Sequence, residues 1–198
     1  MAKRPLDTPR ALERRRQLIE AGFEHFADSD YDDVQLDQVT KAIGVSHGVV
    51  FQHFGNKKGF YLAIVEHLLD GFLECVAPDA DLPAQERLTA GLAGYIGWAA
   101  EHPRGFTSLI NATSRFADVR ELVERARQAT IELIAAGMGL DLSQARARVA
   151  LRGWIGGLEA TVAEWLRTPD TATEQELIEY MQDTLAATLR WAAGDQVA

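Results

Sequence analysis

The chain has 198 residues, of which 47% are apolar and 25% charged, and a formal net charge of −9. That length suits one domain or two small ones with a real core, and a single cysteine excludes an internal disulfide framework. No run of about twenty uncharged apolar residues predicts a membrane span, and the start MAKRPLDTPRALERRR lacks the apolar stretch of a secretory signal. The expectation is a soluble cytoplasmic protein with Cys75 as a small buried apolar residue. The charge is unevenly spread. Residues 1–59 hold nine Lys/Arg and nine Asp/Glu, so the whole excess of acid lies in residues 60–198. A nucleic-acid partner needs a local basic face rather than a basic total, and all four lysines, Lys3, Lys41, Lys57 and Lys58, lie in the first part.

Residues 1–7 form an arm in which Lys3 and Arg4 could meet phosphate or the minor groove, or simply stay in water. The first helix runs from about Pro9 to Ala27. Pro9 suits its first position and Thr8 its cap. Leu12, Leu18, Ile19, Gly22, Phe23 and Phe26 fall on one stripe, and some of Arg14, Arg15 and Arg16 must face away from it. An acidic turn around Tyr31 follows. Next comes LDQVTKAIGVSHGVVFQHFGNKKGFY, Leu36 to Tyr61. Val39 and Ile43 share a helix face, Gly44 stops that helix, and Ser46 stands where a hydroxyl can accept the Val49 N–H as an N-cap. Val50 and Phe54 mark the inward side of a second short helix. His47, Val49, Gln52 and His53 are left outward, and Gln52 can hydrogen-bond base edges. Asn56 can cap a third helix that opens on Lys57 and Lys58. Two lysines there oppose the helix dipole unless an anion such as a DNA phosphate is close. This is the outline of a helix-turn-helix.

The helix from Lys57 to Val76 is apolar on much of its circumference and should be buried on two sides. A linker around Pro78–Pro83 leads to a helix over about 83–102, broken at His102-Pro103. A short helix over 104–111 and a longer one over 118–137 follow, the latter with Leu122, Val123, Ala126, Leu133 and Ile134 inward. Ser143 is placed to cap a helix ending near Arg167, and the last helix spans about 173–192. No strand, repeat or low-complexity tract is evident, so the fold class is all-α with about nine helices. The helix before Arg167 carries Gly153, Gly156, Gly157 and Ala160 at spacings of three and four, beside Trp154, Leu158 and Trp165. Each interior glycine costs roughly 1 kcal/mol against alanine, while small residues let another backbone come close. A helix apolar on two faces needs two partners. One is the body and the other is expected to be the same helix pair of a second copy, with Met181 and Leu185 contributing. The glycines would also suit a monomer's own core.

The set Gly44-Val45-Ser46, Gly48, Val50, His53-Phe54-Gly55-Asn56-Lys57 and Phe60 resembles the DNA-binding domain of the TetR family of transcriptional repressors. The resemblance is strong over roughly residues 8–70 and rests beyond that on helix count and order. It implies an N-terminal DNA-binding domain, 1–56, and a C-terminal ligand-binding and dimerisation domain, 57–198, with the helix 57–76 as connector. DNA contacts are expected at Lys3, Arg4, Gln35, Ser46, His47, Gly48, Val49, Phe51, Gln52, His53 and Lys57. Phe51 replaces the family's usual phosphate-contacting tyrosine, Val49 a common threonine or serine, and Gln35 a common helix cap.

The resemblance also implies a homodimer on a palindromic double-stranded operator, with recognition helices about 34–36 Å apart. A small apolar or aromatic effector would favour a state with the wrong spacing and release the DNA. Candidate effector contacts are Phe72, Trp98, His102, Phe106, Ile110, Leu133, Trp154 and Leu158, each of which could equally be core. Glu159 could meet a polar effector group or pair with an arginine. No nucleotide-binding, metalloprotease or hydrolase motif is present, and the five histidines show no metal-ligand spacing. Neither enzyme, cofactor nor metal is expected. The alternative left open by Phe51 and Val49 is a helical small-molecule-binding or interaction module that has lost DNA binding.

Overall fold

A computed structural model of the chain describes residues 8–26, 31–77, 79 and 81–194. Lys3 and Arg4 lie outside the described residues. Nine α-helices are present among those described: α1 Pro9–Phe26, α2 Leu36–Ala42, α3 His47–Phe54, α4 Lys57–Val76, α5 Ala84–Glu101, α6 Pro103–Arg115, α7 Ala117–Met138, α8 Ala145–Arg167 and α9 Glu174–Ala193. A short 3-10 turn, Pro169–Thr171, precedes α9. The chain divides into two compact units, one of residues 1–69 with 104–122 and one of 70–103 with 123–198. The expected division at residue 56 falls just before α4, and α4 itself contributes residues to both units.

In the first unit, the Thr8 hydroxyl accepts the Ala11 N–H at 3.3 Å and starts α1. Leu18, Ile19, Gly22 and Phe26 are buried at helical spacing. Leu12, expected on that stripe, is instead 55% exposed, the buried residues of α1 beginning at Leu18. Gly22 lies so close to α4 that a Cβ there would sit 2.5 Å from both Ile64 and Phe60. The α2–α3 turn is a Schellman arrangement. The Val45 N–H reaches the Thr40 carbonyl at 2.9 Å and the Gly44 N–H the Lys41 carbonyl at 3.2 Å, with Gly44 at φ +65°, a conformation that glycine enters without a Cβ penalty. Ser46 does not cap α3 with its hydroxyl. Its backbone carbonyl accepts the Val49 N–H at 3.0 Å instead. Asn56 does cap α4, its Oδ1 accepting the Gly59 N–H at 2.8 Å.

In the second unit α5, α8 and α9 pack together. The Trp154 indole N–H donates to the Met181 carbonyl at 3.1 Å and the Thr184 hydroxyl at 3.2 Å, and that of Trp165 to the Ala172 carbonyl at 2.8 Å. Helix α9 opens on a full capping box between Thr173 and Glu176. Ser143 is not the cap of α8. Its hydroxyl donates to Asp141 at 2.7 Å, and Gln144 takes the cap position without a side-chain bond. Leu133 is 44% exposed rather than inward, the buried side of α7 being Ile131 and Ala135. Cys75 is exposed and not a core residue, because Phe72 and Val76 occupy the inward face of that turn.

Gly59 sets the tightest contact in the first unit, since a Cβ there would lie 2.1 Å from the backbone oxygen of Phe54. Gly59→Ala should lower stability by on the order of 1–3 kcal/mol, as overpacking does. Gly153→Ala, with open space around it, should leave the fold intact. Paired thermal melts followed by circular dichroism check both.

Candidate nucleic-acid interface and internal cavity

Helix α3 is anchored by Val50, which is fully buried, and by Phe54 stacked on Phe60 at 4.8 Å. Its other side presents Gly48, Phe51 and Gln52 exposed and His47, Val49 and His53 half-buried. Phe51, a large apolar ring, is 44% exposed. The His47 ring lies edge-on to it at 6.1 Å. His47 Nε2 is 2.8 Å from an Asp37 carboxylate oxygen but off the line of a hydrogen bond, so the pair is ionic only when the imidazole is protonated. Ser46 and Gln35, at the starts of α3 and α2, are both exposed.

Two residues outside the expected set join this face. The Arg15 guanidinium sits 5.1 Å over the Phe54 ring, and Arg14 and Arg15 together lie close enough to act on His53. Partial burial, then Arg15, then Arg14, hold the His53 imidazole below its ordinary pKa. Arg16, one residue on, is instead paired with Glu13 and Glu20. The sequence showed three adjacent arginines. Spacing from Phe26 and Ile19 could not decide which of them would face α3, since that depends on the angle between α1 and α3. Lys57 does not reach outward here. Its ammonium rests 4.6 Å over the Tyr31 ring and donates weakly to the Asp32 carbonyl at 3.4 Å.

The second unit contains a cavity of about 290 Å³ lined by residues of α4, α5, α7 and α8. Leu133, Trp154 and Leu158 are on its wall, together with Arg87, Leu92 and Tyr95. Phe72, Trp98 and His102 are not. They form an aromatic stack, Phe72 on Trp98 at 5.4 Å and Trp98 on His102 at 5.7 Å, while the His102 N–H also closes α5 on the Trp98 carbonyl. Phe106 and Ile110 belong to α6 in the first unit and are not on the cavity wall either. Ring stacking occupies Phe72, Trp98 and His102 with one another, and Phe106 is buried in the first unit. Below the wall, Arg127 and Glu159 form a bidentate pair with both bonds at 2.6 Å, which raises the arginine's pKa chiefly through Glu159. Burial pushes the Tyr95 phenol well above its ordinary value and keeps it neutral. Among the described residues no cluster of His, Cys, Asp or Glu could hold a metal, and no helix is long and apolar enough to cross a membrane.

On α8 and α9, Gly153, Gly156, Gly157 and Ala160 are exposed along one face beside Val149, Tyr180 and Trp191. Trp165, Met181 and Leu185 are instead buried within the chain's own core.

Residues 18–64 match the model for bacterial regulatory proteins of the tetR family, and residues 84–188 that for the tetracyclin repressor-like C-terminal domain. The chain belongs to the TetR family. Its relatives include the transcriptional activator FasR of Mycolicibacterium smegmatis, 28% identical over 143 residues, which cover 68% of this chain and 64% of FasR. They also include a transcriptional repressor of Mycobacterium tuberculosis, 35% identical over 51 residues, 26% of this chain and 27% of that protein. The chain thus spans less than two thirds of these two curated relatives. A tetR-family transcriptional regulator from Streptomyces coelicolor shares the fold with a TM-score of 0.80 at 24% identity, over 93% of this chain and 90% of its own. As a TetR-family member the chain combines a tetR-type regulatory domain with a tetracyclin repressor-like C-terminal domain.

The electrostatics of the TetR-type recognition helix can be tested directly. His53 should titrate below the ordinary imidazole value in a histidine NMR titration. Arg15→Gln should move it partly back up, the remainder being due to burial. An unchanged titration in Arg15→Gln would remove Arg15 from the His53 environment.

Proposed function

We propose that the chain is a ligand-responsive repressor that binds a palindromic operator as a homodimer and is released from it by a small effector. The observation that carries this reading is α4. Its first turn is locked to the end of the recognition helix, where Gly59 leaves no room against the Phe54 carbonyl. Its last residue, Val76, lines the cavity. One unbroken helix therefore touches both sites, and a molecule that shifts its last turn acts on an element that also holds α3. Coupling requires that the effector bind the DNA-incompatible state better than the other.

In this reading Gln52 reads a base edge, Gly48 and Ser46 let the backbone approach, and His47, Val49 and Phe51 fill the groove surface. Phosphates are met by His53 with Arg14 and Arg15, by the arm residues Lys3 and Arg4, and by Lys57 once it leaves Tyr31. Gln35 borders the same face at the start of α2. The second copy docks on the exposed Gly153, Gly156, Gly157 and Ala160 face, with Trp165, Met181 and Leu185 as the core behind it. In this reading α8 and α9 of two copies form a four-helix bundle.

Selection of bound sequences from a random duplex pool should return two half-sites in inverted repeat. Gln52→Ala should relax the preference at one base position by about 1–3 kcal/mol. Arg15→Gln should weaken all duplexes alike and flatten the salt dependence. Failure to enrich any duplex would favour the interaction-module alternative, which Phe51 and Val49 support by removing two hydroxyls from the face. For the interface, sedimentation should show a dimer for the parent chain. Gly153→Arg should separate it into monomers of unchanged helicity, since open space lies beside that glycine; a parent chain that sediments as a monomer would refute the interface.

A further inference from the structure

We propose that Phe51 selects a thymine in each operator half-site by contact with the thymine methyl group. The contact presupposes that α3 enters a duplex, and it deepens that reading by naming a base and the group that picks it. Gly48, Phe51 and Gln52 are all exposed. Phe51 and Gln52 follow Gly48 by three and four residues, so both neighbour it on the surface of α3. Packing within the chain does not call for this glycine. Apart from its chain neighbours and its own helix, a Cβ there would meet only the Ser46 Oγ, at 3.6 Å, an ordinary contact. The residue is helical, where glycine is a poor choice. Its bare surface lets the helix lie closer to whatever it faces. Beside it the Phe51 ring is 44% exposed. The His47 ring, one turn earlier, stands edge-on to it at 6.1 Å and steadies it from that side.

A phenyl ring suits only part of what a duplex offers. It has no donor for a phosphate oxygen, and pressing it on a phosphate would strip water from the anion without replacement. The donors and acceptors of the base edges find no answer in it either. The apolar group of the major groove is the thymine C5-methyl, and phenylalanine is one of the side chains that meet it. A protein partner would account for an exposed ring by itself. It would not account for the company the ring keeps. Bare Gly48 and the Gln52 amide are its surface neighbours, and Arg14 and Arg15 act on His53 of the same helix. Close backbone approach, an amide and nearby cations together suit a duplex reader. The Gln52 amide can pair bidentately with adenine N6 and N7. Adjacent side chains of α3 would then read an A·T pair and a thymine methyl beside it.

The test starts from the tightest duplex that the full chain selects from a random pool. Each thymine is replaced singly by deoxyuridine, which loses the methyl and keeps the pairing and the polar edge. At one thymine per half-site this change should cost about fourfold in affinity, the ratio that burial of one methyl supplies. The scan on the parent chain needs no variant and decides the methyl contact by itself. Phe51→Ala should bind the thymine duplex more weakly and show no further loss for uracil at that position, with circular dichroism checking that its helicity is unchanged. Uracil tolerated at every position, or a selected half-site without thymine, would overturn the methyl contact and leave duplex binding intact. A uracil loss of the parent's size at every sensitive thymine in Phe51→Ala would overturn the role of Phe51. Failure to enrich any duplex would overturn the contact together with the operator reading.

Discussion

The packing of Gly59 against the Phe54 carbonyl is the constraint on which the recognition helix depends. Helix α3 has eight residues, too few to hold itself in water. Its position is dictated by what it touches: Val50 in the core, Phe54 on Phe60, and Arg15 over Phe54. The turn at Gly44 fixes the angle at which the chain enters α3, and the absent Cβ at Gly59 fixes how near α4 approaches its exit. Gly22 likewise lets α1 approach the Phe60 and Ile64 side chains of α4. The first unit is thus a set of short helices held by close backbone approach around Phe60 and Ile64 rather than by propensity.

Charge works on this unit in a narrower way than its count suggests. Lys58 is paired with Asp118 at 2.7 Å and Arg115 with Asp32 at 2.5 Å, while Arg16 is held within its own helix. These are exposed pairs, each worth about 0–1 kcal/mol, so their stability contribution is small. Their larger effect is to cancel charge. The cations left without an ion pair among the described residues around α3 include Arg14 and Arg15, whose field also acts on His53. An anionic partner of the first unit would therefore meet its field chiefly where these uncancelled cations lie.

Much of this was legible in the sequence because glycine, proline and apolar spacing are local signals. Gly44, Asn56 and Pro103 each mark a helix end through chemistry within a few residues, and the observed ends fall within a few positions of the expected ones. Ser46 and Ser143 had the right residue type at the right place yet bond elsewhere, since a hydroxyl with a nearer partner, Asp141 for Ser143, does not cap. Leu12 and Leu133 fit a helical stripe but end up exposed, because periodicity gives a face and not what lies opposite it. The cavity was the least legible part. Its one charged residue, Arg87, sits fifty positions from the Gly137 carbonyl it binds, and no pattern along the chain joins the two.

The Arg127–Glu159 pair explains why a cavity persists here instead of collapsing. The pair is half-buried, and replacing an ion pair shielded from water by apolar residues is often neutral or stabilising, so net stability does not account for it. A bidentate guanidinium–carboxylate contact does, however, admit one geometry, and it joins α7 to α8 at a fixed height. Thr130 and Ile134 follow Arg127 at three and seven residues on α7, hence on the same face, and Leu158 is next to Glu159. Both sets are on the cavity wall. Apolar side chains at 127 and 159 could slide and repack to fill the space between the helices. The ion pair cannot slide without parting two half-buried charges, and so it holds the two walls apart.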